Sequence, residues 1–243
     1  MPENPLVVLL HGAFTDSAHW SGVIARLRAH DVDALALANP LRSVVTDAQY
    51  VRDAVGDSDR PLVLAAHAYG GVVATEAVAE GLGDVRGIVY VAGLAPDTGE
   101  SAVDLVGRFP GSTLDAALGR TSLVDDLDDL WVRPDAYHAQ VAADVDEQTA
   151  YVAARTQRPV TDVALSQVLL AGTPAWKTVP SWFVFGSEDR TIPAATHRWM
   201  AGRAGARGVD EVPGASHAVA VSEPDRVARA VLDALGSSRA VAA

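Results

Sequence analysis

The 243-residue chain contains no cysteine. Disulfides and thiolate metal sites are therefore excluded, and the redox compartment cannot be read from thiols. Basic residues are few, 19 against 31 acidic ones, and all but Lys177 are arginine. The net charge of −12 argues against holding nucleic acid or an anionic membrane through a general electrostatic field. Long hydrophobic runs are missing too. Leu6–Leu10 is too short for a signal core or a membrane span, and the first five residues, Met-Pro-Glu-Asn-Pro, carry no basic charge. The expectation is a cytoplasmic protein. There is no phosphate-binding Walker loop and no H-E-x-x-H. The glycine-rich stretch Gly81–Gly87 sits between an expected helix and an expected strand, the reverse of a dinucleotide fingerprint. The acid run 125–129 lacks the glycine and terminal glutamate of a calcium loop and reads as a solvated helix face or N-terminal turn. No metal and no organic cofactor is implied.

The most informative absence is at position 68. Pro61–Thr75 reads as a buried strand, a sharp turn and a helix, the setting of a G-x-S-x-G nucleophile elbow. The five residues here are Ala66-His67-Ala68-Tyr69-Gly70. Small residues that let strand and helix approach are present; the reactive hydroxyl is not.

What is present is a core-sized fraction of apolar residues, 49%, in β-rich runs alternating with helical patterns. That alternation argues for βα units and a parallel sheet. Strands are expected at 6–10, 32–37, 61–66, 86–92, 181–185 and 207–212. Helices are expected near 18–29, 44–55, 70–81, 194–204 and 223–235, with the tail from Gly236 fraying. Between about 96 and 178 the rhythm breaks. Five prolines and helical segments at 121–131, 135–143, 146–156 and 161–169, with no convincing strand, suggest a helical cap over the sheet's C-terminal edge. Ligands bind at that edge in open α/β sheets.

Four segments converge there. His11-Gly12-Ala13-Phe14 follows the first strand, where a turn can aim backbone N–H groups at the elbow. The elbow supplies Ala68 and the Tyr69 N–H. Phe185–Pro193 offers Asp189, with Glu188 its rival, to orient a histidine. Val212–Ala218 offers His217. Each follows a separate strand, in the order nucleophile, acid, histidine. His11 and His67 read as structural hydrogen-bonding residues. His19 is placed to border a pocket, and Trp131, Tyr137 and Trp176 are its candidate walls from the cap.

Val8–Trp20, Val89–Thr98, Pro180–Asp189 and Ala66-His-Ala-Tyr-Gly-Gly71 together resemble the α/β-hydrolase superfamily over essentially the whole chain. Within it they resemble the methylesterase and hydroxynitrile lyase group, whose elbow is G-H-S-x-G-G. The resemblance implies an α/β-hydrolase fold, with a mainly parallel sheet of about six strands flanked by helices. A helical cap at 97–178 is inserted after the fourth strand, between core segments 1–96 and 179–243. It implies Ala68 in the nucleophile serine position, with Asp189 and His217 completing the triad. Ala13, with Phe14 beside it, and Tyr69 become the oxyanion donors. The expected activity is serine-dependent hydrolysis of a small or medium uncharged ester, thioester or lactone. Its partner is a hydrophobic small molecule, and Ala68 marks an inactivated serine enzyme. Two alternatives stay open. One is a natural non-hydrolytic binding protein. The other is a lyase, cyclase or cofactor-free oxygenase using the His217–Asp189 dyad as general base.

Overall fold

Apolar residues alternate between two faces along each central strand, and that alternation builds the molecule. In the computed structural model, which describes residues 5–124 and 127–241, Val8, Leu10, Leu64, Ala66, Tyr90 and Phe183 pack on one side of a sheet. Val7, Leu9, Val63, Ala65, Val89 and Val184 pack on the other. A strand buried on both faces needs helices on both, which the βα rhythm supplies.

The strands are β1 (Leu6–Leu10), β2 (Ala34–Leu37), β3 (Leu62–His67), β4 (Val85–Val91), β8 (Ser181–Gly186) and β9 (Gly208–Val212). They form one sheet in the order β2-β1-β3-β4-β8-β9, with every pairing parallel. The flanking helices are α1 (Ser21–Arg28), α2 (Val44–Val55), α3 (Gly70–Ala79), α9 (Ala194–Arg203), α10 (Val219–Ser222) and α11 (Pro224–Val241). The six expected strands and five expected core helices are all present; α11 continues to Val241 rather than ending at Gly236.

Between β4 and β8 the chain holds α4 (Ala102–Val106), α5 (Leu114–Ala117), α6 (Pro134–Val141), α7 (Glu147–Thr156) and α8 (Asp162–Ser166). It also holds a small antiparallel sheet, and this corrects the all-helical expectation. The helix expected at 121–131 is instead a hairpin of β5 (Leu118–Ser122) and β6 (Asp128–Val132), extended by β7 (Val160–Thr161). Asp128 and Asp129 of the acid run therefore lie in a strand, paired with Arg120 and Arg42 respectively, not on a helix face. Asp125 and Asp126 lie outside the described residues. Among the described residues no helix is long and apolar enough to cross a membrane.

Candidate active site

β3 ends at His67, and the chain turns sharply into α3 through Ala68. Ala68 has φ +48°, a left-handed conformation that costs a non-glycine residue roughly 1–2 kcal/mol. The turn is fixed by hydrogen bonds: Ala68 N–H donates to Val91 O, and Ala68 O accepts from the Gly71 and Leu94 N–H groups at 3.0 Å each. Small residues make it fit. A β-carbon on Gly70 would sit 2.6 Å from Leu10 O, and one on Gly12 would sit 2.6 Å from Ala68 Cβ.

The loop after β1 is held from both sides. Thr15 Oγ1 donates to Gly12 O, and the Tyr137 hydroxyl donates to Phe14 O at 2.9 Å. Phe14 N–H donates to Arg158 O at 3.2 Å, and Arg158 N–H returns a bond to Thr15 O. Phe14 is thus removed from the expected oxyanion donors, because its N–H is already used. Neither the Ala13 nor the Tyr69 N–H donates to another group among the described residues. The Tyr69 side chain is anchored away from this role, its hydroxyl donating to buried Asp47 at 3.0 Å.

Asp189 follows β8 and His217 follows β9. His217 Nδ1 donates to Asp189 Oδ2 at 2.7 Å, and both residues are buried. Asp189 Oδ1 accepts the Thr191 and Ile192 N–H groups at 2.8 Å each. Burial alone would raise this carboxyl's pKa, but His217 and His197 outweigh it and hold the pKa below the ordinary range. Glu188, the rival acid, is exposed. His197 Nε2 approaches Asp189 Oδ2 at 3.5 Å from α9, a second imidazole that the spacing of sequence motifs gave no sign of.

Three further histidines crowd behind. His67 Nε2 donates to His217 O at 3.1 Å, and its ring lies 4.3 Å from that of His19 and 4.6 Å from that of His217. His11 Nδ1 donates to Gly12 O. Burial, reinforced by the neighbouring imidazoles, pushes the His19 pKa down to about 3 and that of His67 well below the usual histidine value. They are neutral fixtures of the loop, not bases.

Over Ala68 opens a cavity of about 680 Å³, within the range of ligand sites. Ala13, Ala68, Tyr69 and His217 line its floor; Leu94, Val106, Phe109, Leu118, Leu130 and Ile192 are among its walls. Asp115, Arg120 and Asp162 lie toward a polar side of the lining. The structure brings together Ala13, Ala68, Tyr69, Asp189 and His217. It does not bring the four expected wall residues to this cavity. Trp131 packs across Gly119 on the hairpin, with its indole N–H on Thr121 Oγ1. Trp176 is buried in the core, its N–H on Pro96 O. His19 and Tyr137 border a different cleft. Much of the wall comes instead from 102–118, whose apolar spacing singled out no residue. Among the described residues no cluster of three or more metal-ligating side chains is placed to hold an ion.

Comparison with known proteins agrees with this fold. The chain is 27% identical to esterase PIR7B of Oryza sativa subsp. japonica, covering 89% of this chain and 90% of that one. It is 25% identical to the alpha/beta hydrolase nvfD of Aspergillus novofumigatus, covering 97% and 98%. The crystal structure of polyneuridine aldehyde esterase superposes with a TM-score of 0.80 at 18% identity, covering 95% of this chain and 99% of that one. The model of the alpha/beta hydrolase family matches residues 7–230, so the chain, alanine-tipped elbow included, belongs to that family.

Proposed function

We propose that this chain is the ligand-binding, nucleophile-free form of a serine-type carboxylic ester hydrolase, acting on a small or medium uncharged ester, thioester or lactone. The single observation behind the reading is the backbone at Ala68. The elbow keeps its strained φ of +48° although no hydroxyl remains to be presented. The reading is supported by the Ala13 and Tyr69 N–H groups, which have no partner among the described residues, and by the His217–Asp189 pair, groups of the kind that acyl transfer needs.

With a hydroxyl at position 68, the chemistry follows from the residues present. His217 Nδ1–H is held on Asp189, so Nε2 carries the free lone pair and takes the hydroxyl proton. The oxygen attacks the substrate carbonyl carbon. The negative charge on the carbonyl oxygen is met by the Ala13 and Tyr69 N–H groups. His217 then returns the proton to the leaving alcohol, and water repeats the sequence on the acyl-enzyme. Asp189 keeps the imidazole tautomer and stabilises the imidazolium. In the alanine form the first step is missing, so an ester binds and persists. The segment 97–178 acts as the cap, its walls Val106, Phe109 and Leu118 favouring apolar substituents.

A second reading rests on the intact dyad. His217 and Asp189 can act as a general base on a carbon or hydroxyl acid without covalent catalysis. One experiment separates the two. Crystals soaked with an activated ester, a lactone or a cyanohydrin report where the ligand sits. The hydrolase reading expects an intact ester, carbonyl oxygen within hydrogen-bond reach of the Ala13 and Tyr69 N–H groups and carbonyl carbon above Ala68 Cβ. A ligand seated away from Ala68 contradicts it. Cyanohydrin cleavage by the unaltered chain favours the base-only reading.

A further inference from the structure

On the far side of the oxyanion loop lies a second cleft, of about 320 Å³, which shares no lining residue with the cavity over Ala68. Its floor is Thr15, Asp16 and His19 from the loop, with Tyr137 and Ala218; its outer wall is the face of α7 bearing Ala150 and Ala153. The Tyr137–Phe14 hydrogen bond forms part of the partition between the two spaces. Most of the surface is methyl groups and one aromatic ring, so an occupant is held chiefly by apolar burial.

The polar edge is unusual. His19 is buried, only 7% exposed, and its Nε2 has no hydrogen-bond partner. Neither ring nitrogen makes a hydrogen bond among the described residues; Nε2 is sealed from the surface, so Nδ1, which is not, is the atom a cleft occupant can reach, and the ring's contacts are those with Trp20 and His67. A buried polar side chain is normally satisfied, so one that is not, beside an apolar cleft, marks a place for a ligand group. We propose that this cleft is a second binding site, for a neutral one-ring alcohol or phenol whose hydroxyl reaches His19. A neutral imidazole offers one N–H and one lone pair, and a hydroxyl can answer either. The same features select against anions. His19 is kept uncharged by burial, and Asp16 stands beside it with Oδ1 already accepting the Ala18 N–H. No arginine or lysine lines the cleft. The site is independent of whether residue 68 is a nucleophile.

The test is a pair of NMR titrations of the unaltered ¹⁵N-labelled chain, one with p-cresol and one with p-toluate, which shares the ring and methyl but is an anion. The expected result is saturable amide shifts with p-cresol at Thr15, Ala18, His19, Ala150, Ala153 and Ala218, and binding of p-toluate at least tenfold weaker. Ala153→Leu, which fills the cleft, and His19→Phe, which keeps the ring but removes both polar atoms, each lower p-cresol affinity at least tenfold. Val106→Trp, in the other cavity, leaves those shifts unchanged. The proposal is overturned by p-cresol shifts confined to Leu94, Val106, Leu118 and Ile192, by equal affinity for the anion, or by parental affinity in Ala153→Leu or His19→Phe. If either variant fails to fold, the two titrations of the unaltered chain decide alone.

Discussion

At the scale of single residues, the structure distinguishes groups that the sequence leaves equivalent. Glu188 and Asp189 are adjacent acids on one turn, yet Glu188 points to solvent while Asp189 is buried against His217. In the Ala68→Ser background we expect His217→Ala to abolish ester turnover and Asp189→Asn to lower kcat by about 10²–10⁴, through loss of the imidazole tautomer. Glu188→Gln is expected to stay within about twofold, exposed carboxylates away from the reacting atoms having little leverage. Steady-state kinetics on the three double variants checks this, and a damaging Glu188→Gln would move the acid to residue 188. The convergence of Ala13, Tyr69, Asp189 and His217 was legible because each follows a strand, and strand ends can be read from apolar runs. The loss of Phe14 as a donor was not legible. It depends on Arg158, 144 positions downstream, and no local pattern announces a hydrogen bond between two loops.

At the scale of elements, the strand–turn–helix of β3 and α3 is governed by close backbone approach. A methyl at residue 12 would collide with the Ala68 methyl 2.6 Å away and with His67 O at 2.7 Å. Gly12→Ala is therefore expected to destabilise the protein by about 1–3 kcal/mol, the usual cost of overpacking. Urea unfolding measures it; an unchanged midpoint would mean the β1 loop and the elbow move freely past each other. The cap shows the opposite limit of sequence reading. Leu123, Leu127 and Leu130 are spaced as on a helix face, but the chain there forms the β5–β6 pair, with Leu123 N–H donating to Leu127 O at 2.7 Å. Aspartates have poor strand propensity, and Asp128 and Asp129 enter β6 through cross-strand and tertiary pairing with Arg120 and Arg42. Arg42 lies on the core side, 87 residues from Asp129, so local periodicity could not supply it. The wall residues failed for a related reason. Aromatic side chains mark burial, but a half-buried Trp131 or a buried Trp176 serves the hairpin or the core as readily as a pocket.

At the scale of the whole molecule, a parallel sheet of six strands was legible because strands buried on both faces leave continuous apolar runs and alternating helices fix their direction, whereas the order of the strands was not read. The concentration of buried histidines has a consequence for the folded state as a unit. Burial leads the lowering of pKa at His11, His19, His67 and His197. A lowered folded-state pKa means the unfolded chain binds more protons below about pH 6.5, so stability falls with acidification. For His19 the loss accumulates from pH 6.5 down to about pH 3, at about 1.4 kcal/mol per pH unit once its unfolded form is protonated. The depressed Asp189 adds a loss of the same sign below its ordinary value of 3.8. Urea midpoints should drop steeply between pH 7 and 5, and less steeply in His19→Phe; a flat profile would mean these rings are not held neutral. The larger claim is that everything acyl transfer requires is assembled here except one oxygen. The direct measurement is the rate of ester and lactone hydrolysis by the unaltered chain and by Ala68→Ser, from identical preparations. Loss of a serine nucleophile costs about 10⁶ in kcat with a residue of rate left by the oxyanion site, so the gain is expected on the order of 10³–10⁶. Equal rates across the panel would contradict the account.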